Sequence, residues 1–302
     1  MKVLCFLILV SGPLAAQPWL FYNVENLFDT IHDRNFHDHE FTPNGSKEYG
    51  SISYRLCIRQ TSRALNALEN SSFGAPVVGL CEVEHRSVLE DLIQHRGMRI
   101  HGPWGIIHYD SPDFRGIDCA LLYKTREVSI ISSKRLRFSN DSIKTRDGLW
   151  VKYYKDSAVY NVVVVHLPSK RGGSTQSNWK RNYIWSQLST HLDSCTQPTL
   201  IMGDFNDGVG GRQADLFSNN WKAFRATTTK GSYKYQGRWN IIDGAVANFE
   251  ISAKVCELAL LLEKDEKWGG FKPQRRWQGN FYKNGYSDHL PVYFCKVAGI
   301  GK

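Results

Sequence analysis

Six stretches of this chain end an apolar run on residues able to do acid–base or coordination chemistry. "FYNVEN" carries Asn23 and Glu25, and "GLCEVEH" carries Glu82. "VVVVHLPSK" delivers His166 after four valines, and "LIMGDFND" delivers Asp204 and Asn206. "RWNIIDGAV" sets Asp243 among apolar neighbours, and "GYSDHLPVYF" places Asp288 and His289 just ahead of another apolar run. Singly, each reads as a turn residue, a core histidine or half of an ion pair. An uncompensated buried acid costs several kcal/mol, so a fold that repeats the arrangement gathers these groups around one cation. Carboxylates and an amide, without thiolates, suit a hard ion such as Mg²⁺ or Mn²⁺. Imidazoles and a further Asp add proton transfer and hydrogen bonds to anionic oxygens. Together these are the needs of in-line attack by water on a phosphate ester.

The elements that must position these residues are legible from periodicity. Apolar, β-branched or aromatic runs predict strands over 19–24, 77–83, 118–124, 159–167, 199–204, 241–247 and 291–297. Helical spacing predicts helices over 53–70 and 174–194. Near-continuous apolar strands are those buried on both faces, which predicts mixed sheets packed together and covered by helices in one α/β domain.

Composition adds bounds. The 302 residues carry a formal charge of +9, which favours an anionic partner. The opening "MKVLCFLILVSGPLAAQ" has a lysine, a short apolar core and an Ala-Ala ending, the pattern of a signal peptide over 1–16. Export to the periplasm or beyond the cell follows, with 17–302 as the mature domain, expected to be a monomer. No later stretch has the length and apolarity of a transmembrane segment. Six cysteines remain after the leader: Cys57, Cys81, Cys119, Cys195, Cys256 and Cys295. No spacing among them suggests zinc, and they are expected to be mostly free, buried thiols.

The ordered set "NVENLFD", "LCEVE", "RGIDCALLYK", "VVHLPSKRGG", "GDFND", "IID" and "SDHLP" resembles the endonuclease/exonuclease/phosphatase superfamily across essentially the whole mature chain. The resemblance implies a four-layer sandwich, two mixed β-sheets face to face and flanked by helices, and a Mg²⁺-dependent phosphodiesterase or phosphatase. Position by position, it implies Glu82 as the principal metal ligand, with Asn23, Asp288 and a less certain Glu25 beside it. Asp204 and Asn206 match the pair that positions the attacking water and holds the phosphate. His289 matches the phosphate-contacting histidine, and Asp243 the acid that orients it. His166 matches the histidine of deoxyribonuclease-like and phosphatase-like members, with Asp118 of "RGIDC" as its candidate support.

Candidate substrate contacts are Arg115, Lys170 and Arg171, and Arg275 and Arg276 in the basic, aromatic stretch 271–289 with Lys272, Trp277 and Tyr282. Such interleaving can track a nucleic-acid backbone and stack bases. An exported DNase-like endonuclease acting on nucleic acid is the leading expectation. The alternative is a phosphatase or phosphodiesterase on lipid headgroups, inositol phosphates or nucleotides. A non-catalytic binding protein on the same scaffold is disfavoured, because every catalytic-type position holds a competent residue.

Overall fold

The computed structural model describes residues 17–140, 143–170, 174–217, 220–228 and 230–297. The expected leader and Arg171 lie outside the described residues. The first of two six-stranded sheets contains β1 (Pro18–Leu27), β2 (Val77–Val83), β3 (Trp104–His108), β4 (Asp118–Lys124), β13 (Ile251–Val255) and β18 (Val292–Lys296), in the order β13-β18-β1-β2-β4-β3. The second contains β5 (Ser129–Leu136), β6 (Gly148–Lys155), β7 (Ala158–His166), β8 (Thr199–Asp204), β9 (Lys222–Phe224) and β12 (Asp243–Ala247), in the order β5-β6-β7-β8-β12-β9. Each has one parallel pair at its centre, β1 with β2 and β7 with β8; the other pairings are antiparallel.

The two central pairs face each other across a dry core. Val162 to Val165 on β7 and Leu200 to Met202 on β8 are fully buried, as are Val77 and Leu80 on β2, because helices cover the outer face of each sheet. Approach is closest at Gly79, where an added Cβ would lie 2.6 Å from Met202 Cε and 3.0 Å from a Val164 methyl; only glycine leaves room. Helix α1 (Ser51–Glu69) buries Ile58, Ala64, Leu65 and Leu68 on one stripe, and α2 (Arg86–Gln94) and the short α3 (Arg96–Arg99) pack beside it. On the second sheet, α4 (Ser174–Leu192) sets Trp185 edge-on to Phe205 at 4.9 Å; α5 (Gly211–Ala214) is a single turn. The result is the expected four-layer sandwich.

Three small hairpins complete the fold: β10 (Tyr233–Tyr235) with β11 (Arg238–Asn240), β14 (Leu262–Lys264) with β15 (Phe271–Pro273), and β16 (Trp277–Gln278) with β17 (Phe281–Tyr282). All six cysteines after residue 17 are free, four of them buried. Among the described residues no helix is long and apolar enough to cross a membrane.

Candidate active site

Parallel central strands bring their C-terminal ends to one edge, where open α/β sheets place ligands. His166 ends β7 and Asp204 ends β8, and they are register partners. Asp243 begins the antiparallel β12 and pairs with Asp204 from the other side. Three chemical residues thus stand in a row across the second sheet. From the facing sheet, Asn23 on β1 donates its amide to Asp204 Oδ2 at 3.2 Å.

Glu82 comes to this edge through a backbone irregularity. The register slips between Cys81 and Val83, and Glu82 has φ +64°. A bulge of this kind re-aims a side chain out of the ladder. A second slip between Asn23 and Leu27 accompanies positive φ at Glu25 and Asn26, and the Asn26 N–H donates to Glu82 Oε2 at 3.0 Å. Positive φ costs a non-glycine residue free energy and concentrates at functional positions.

The imidazoles occupy different environments. His289 places Nδ1 2.9 Å from Asp243 Oδ2, which fixes the ring, and Nε2 3.8 Å from Asp204 Oδ2. The His289 main-chain N–H donates to Ser287 Oγ at 3.0 Å, and that hydroxyl donates to the Asn23 carbonyl at 2.7 Å. Burial works against its charge, but Asp243, Asp204 and Asp288 outweigh that and hold its pKa well above the ordinary value. His166 Nε2 lies 3.8 Å from Glu82 Oε1 and 3.6 Å from Asp204 Oδ2. Burial, then Arg146 and Arg115, push His166 well below the usual histidine range. Asp204 is pushed up to about 7, first by burial and then by Asp243, with His289 and the Asn206 N–H pulling it back.

Asn206, at φ +49°, donates its N–H to Asp204 Oδ1 at 2.8 Å and its side-chain amide to the Leu167 carbonyl at 2.9 Å. Arg115 reaches the centre, with Nη2 3.7 Å from Glu82 Oε1 and Nη1 on Asn26. Lys170 lies at the rim, half-exposed, on Asp207 at 2.9 Å. Asp288 pairs with Arg275 at 2.9 Å, and its other oxygen is 4.0 Å from His289 Nε2.

Four expectations are corrected. Arg276 does not face substrate: it is fully buried and donates to Thr61 and the Tyr286 carbonyl. Trp277 is buried against Phe41, Tyr49 and Tyr282, so it stacks on protein rather than on a base. Glu25 turns from the centre because both of its oxygens accept main-chain N–H groups, from Arg276 and Trp277; burial pushes it up to about 8. Asp118 does not support His166. It accepts from Ser111 N at 2.9 Å and lies 3.3 Å from His108 Nε2, because β4 pairs with β3 within its own sheet. His166 Nδ1 has no hydrogen-bond partner among the described residues.

Two further residues meet the centre: Tyr233, whose ring packs tilted against His289 at 4.9 Å, and Ser287. The serine was visible inside "YSDHLP"; nothing local marks the tyrosine, which pairs with His289 through an isolated bridge. The donor set fits a hard divalent cation. Asp204, Asp243 and His289 offer ligand atoms within 4.8 Å of one another, and burial followed by repulsion from Asp243 raises Asp204. Because Asp243 is committed to His289 Nδ1, Glu82 and Asn23 on the facing sheet are residues that could hold such an ion.

A model of the endonuclease/exonuclease/phosphatase family matches residues 19–297. The chain belongs to that family. Its members are phosphate-ester hydrolases. The fold is similar to an endonuclease/exonuclease/phosphatase family protein from Bacteroides thetaiotaomicron, at TM-score 0.60 and 13% identity over 96% of this chain and 100% of that one. It is also similar to D. rerio TDP2 complexed with single strand DNA product, at TM-score 0.57 and 11% identity over 93% and 98% of the two chains. A mannosyl-6-phosphatase of B. thetaiotaomicron matches at TM-score 0.57 and 13% identity over 93% and 100%. No curated protein matches the sequence.

Proposed function

We propose that this family member is an exported, divalent-cation-dependent phosphodiesterase acting on nucleic acid in the manner of a DNase. The observation that carries the chemistry is His289, locked on Asp243 with its free nitrogen facing Asp204. Glu82 and Asn23 would hold Mg²⁺ or Mn²⁺, with Asp288 beside them, and the bound ion supplies charge neutralisation at the phosphoryl oxygens.

The chain's own residues account for the remaining needs. Asp204, poised near neutrality, accepts a proton from the attacking water, and its hydrogen bonds from Asn206 and Asn23 fix its direction. Charged His289 donates from Nε2 to a phosphate oxygen. His166, held neutral with Nε2 3.6 Å from the same Asp204 oxygen that His289 faces, donates a further hydrogen bond, and Arg115 adds a cation beside Glu82. Nucleic acid is supported by the net positive charge, and export by the leader pattern at residues 1–16.

The test is hydrolysis by the full-length chain, with Mg²⁺ or with chelator, of plasmid DNA, RNA, bis(p-nitrophenyl) phosphate, sphingomyelin and inositol phosphates. Plasmid cleavage abolished by chelator and by Glu82→Gln supports the reading. Turnover confined to sphingomyelin or inositol phosphates would replace the substrate assignment, and turnover that survives chelation would remove the cation.

A further inference from the structure

Beside the centre lies a cavity of about 460 Å³ that none of the roles above uses, lined in part by Asp113, Lys144, Arg146, Ser169, Trp179 and Lys180. Three cations face one carboxylate there. Arg146 forms its floor: its side chain is 92% buried, its Nε is 3.4 Å from Asp113 Oδ2, and that nitrogen makes no hydrogen bond. Asp113 Oδ1 is taken by the Arg115 N–H at 2.9 Å, so this single acid is shared. Lys144 and Lys180 have no acidic partner among the described residues, and Lys180 Nζ lies 5.8 Å from the Trp179 ring that also lines the cleft. A buried guanidinium with an idle donor is costly, and a cleft lined by three cations and a single carboxylate favours an anion.

The cleft is continuous with the chemistry. Arg115 bridges from Glu82 to Asp113, and Asp113 touches Arg146. Arg146 also lies close enough to His166 to press on its charge. Ser169 comes three residues after His166 on the same chain path.

From this arrangement we infer that the cleft binds a second phosphate of the substrate, next to the one being hydrolysed, through Arg146, Lys144 and Lys180. This rests on the phosphoesterase reading and extends it: the preferred substrate carries two or more phosphates at short spacing. Two sources share that chemistry, a neighbouring phosphate of a nucleic-acid strand and the second phosphate of a compact polyphosphorylated molecule.

Binding is read in chelator, so that it does not depend on turnover, using a fluorescent oligothymidylate and, in competition, inorganic pyrophosphate. Lys144→Ala and Lys180→Ala each weaken the multiply phosphorylated probe roughly tenfold. On the oligothymidylate, each also lowers the slope of log K against log salt by about 0.7. Lys144→Arg and Lys180→Arg restore both. Where turnover is measurable, KM for the oligothymidylate rises relative to KM for bis(p-nitrophenyl) phosphate on the same variant. An effect on the oligothymidylate identifies a strand, and one confined to pyrophosphate identifies a compact polyphosphate. Unchanged affinity and slope in both alanine variants overturn the inference, even if the enzyme hydrolyses diesters. Intact binding effects with no turnover would instead count against the phosphoesterase reading alone.

Discussion

Replacing Asp243 with Asn tests the central geometry with almost no change of shape. Asp243 is 1% exposed, His289 is 6% exposed, and the carboxylate oxygens lie 2.9 and 3.1 Å from Nδ1. Asn keeps the volume and one acceptor but removes the charge. A hydrogen bond to a charged group contributes about 1.5–3 kcal/mol and a neutral one about 1, so the variant loses about 1–2 kcal/mol of preference for the imidazolium. If charged His289 is the donor to the phosphate, kcat falls about 5- to 30-fold. The pH profile carries the sharper signal. A histidine held above its ordinary value stays charged as pH rises through neutrality and loses its charge only on the alkaline side. The wild-type rate on bis(p-nitrophenyl) phosphate with Mg²⁺ should therefore hold well past neutral pH and then decline. In Asp243→Asn the decline should begin about one pH unit lower. An alkaline limb at the wild-type pH, with kcat within about twofold of wild type, would refute the role of the Asp243–His289 pair.

Other outcomes follow from the same structure. Glu82→Gln should lower kcat on a small diester on the order of 10²–10³-fold, with little change in thermal stability because Glu82 sits at a partly exposed edge; initial rates and a melting curve check both. Arg276→Ala should cost about 3 kcal/mol, as buried charged hydrogen bonds do, seen as a Tm lower by roughly 6–10 °C, while KM for a small diester stays put. Glu84 is 2% exposed, and burial drives its carboxyl up to about 9, with the Asp29 N–H opposing and Asp29, Asp38 and Asp33 adding to the rise. A raised carboxyl favours the folded state while protonated, and that stability is lost as pH climbs from about 4.5 toward 9. Glu84→Gln should thus be more stable than wild type by about 2–4 kcal/mol near pH 8, and the gap in melting temperature should close near pH 4.5.

The sequence makes legible whatever depends on residues close together in the chain. The buried runs of β2, β7 and β8 are continuous because both faces are covered, so their strands and the polar residues ending them stood out. The stripe of α1 and the spacing of α4 were visible for the same reason, as was the ordered motif set that marks the family. Edge strand β5 was not read: its residues are largely exposed, and its pattern carries no apolar alternation. The hairpins between 233 and 282 were missed because they are two- and three-residue strands held by their surroundings.

The side-chain assignments divide along the same line. His166, Asp204 and Asp243 met as expected because strand ends at one sheet edge are neighbours by register. Arg276, Trp277, Glu25 and Asp118 went elsewhere, since charge and aromaticity in sequence say nothing about which face a loop turns inward. Composition and motif order alone therefore determined the chemical repertoire and the family. The tertiary structure decided which carboxylate serves a cation and which serves a backbone. It also decided that Glu82 turns outward at a bulge and that three cations line a cleft beside His166. These depend on register slips, positive-φ residues and long-range pairing, free-energy terms that exist only once distant segments are packed together.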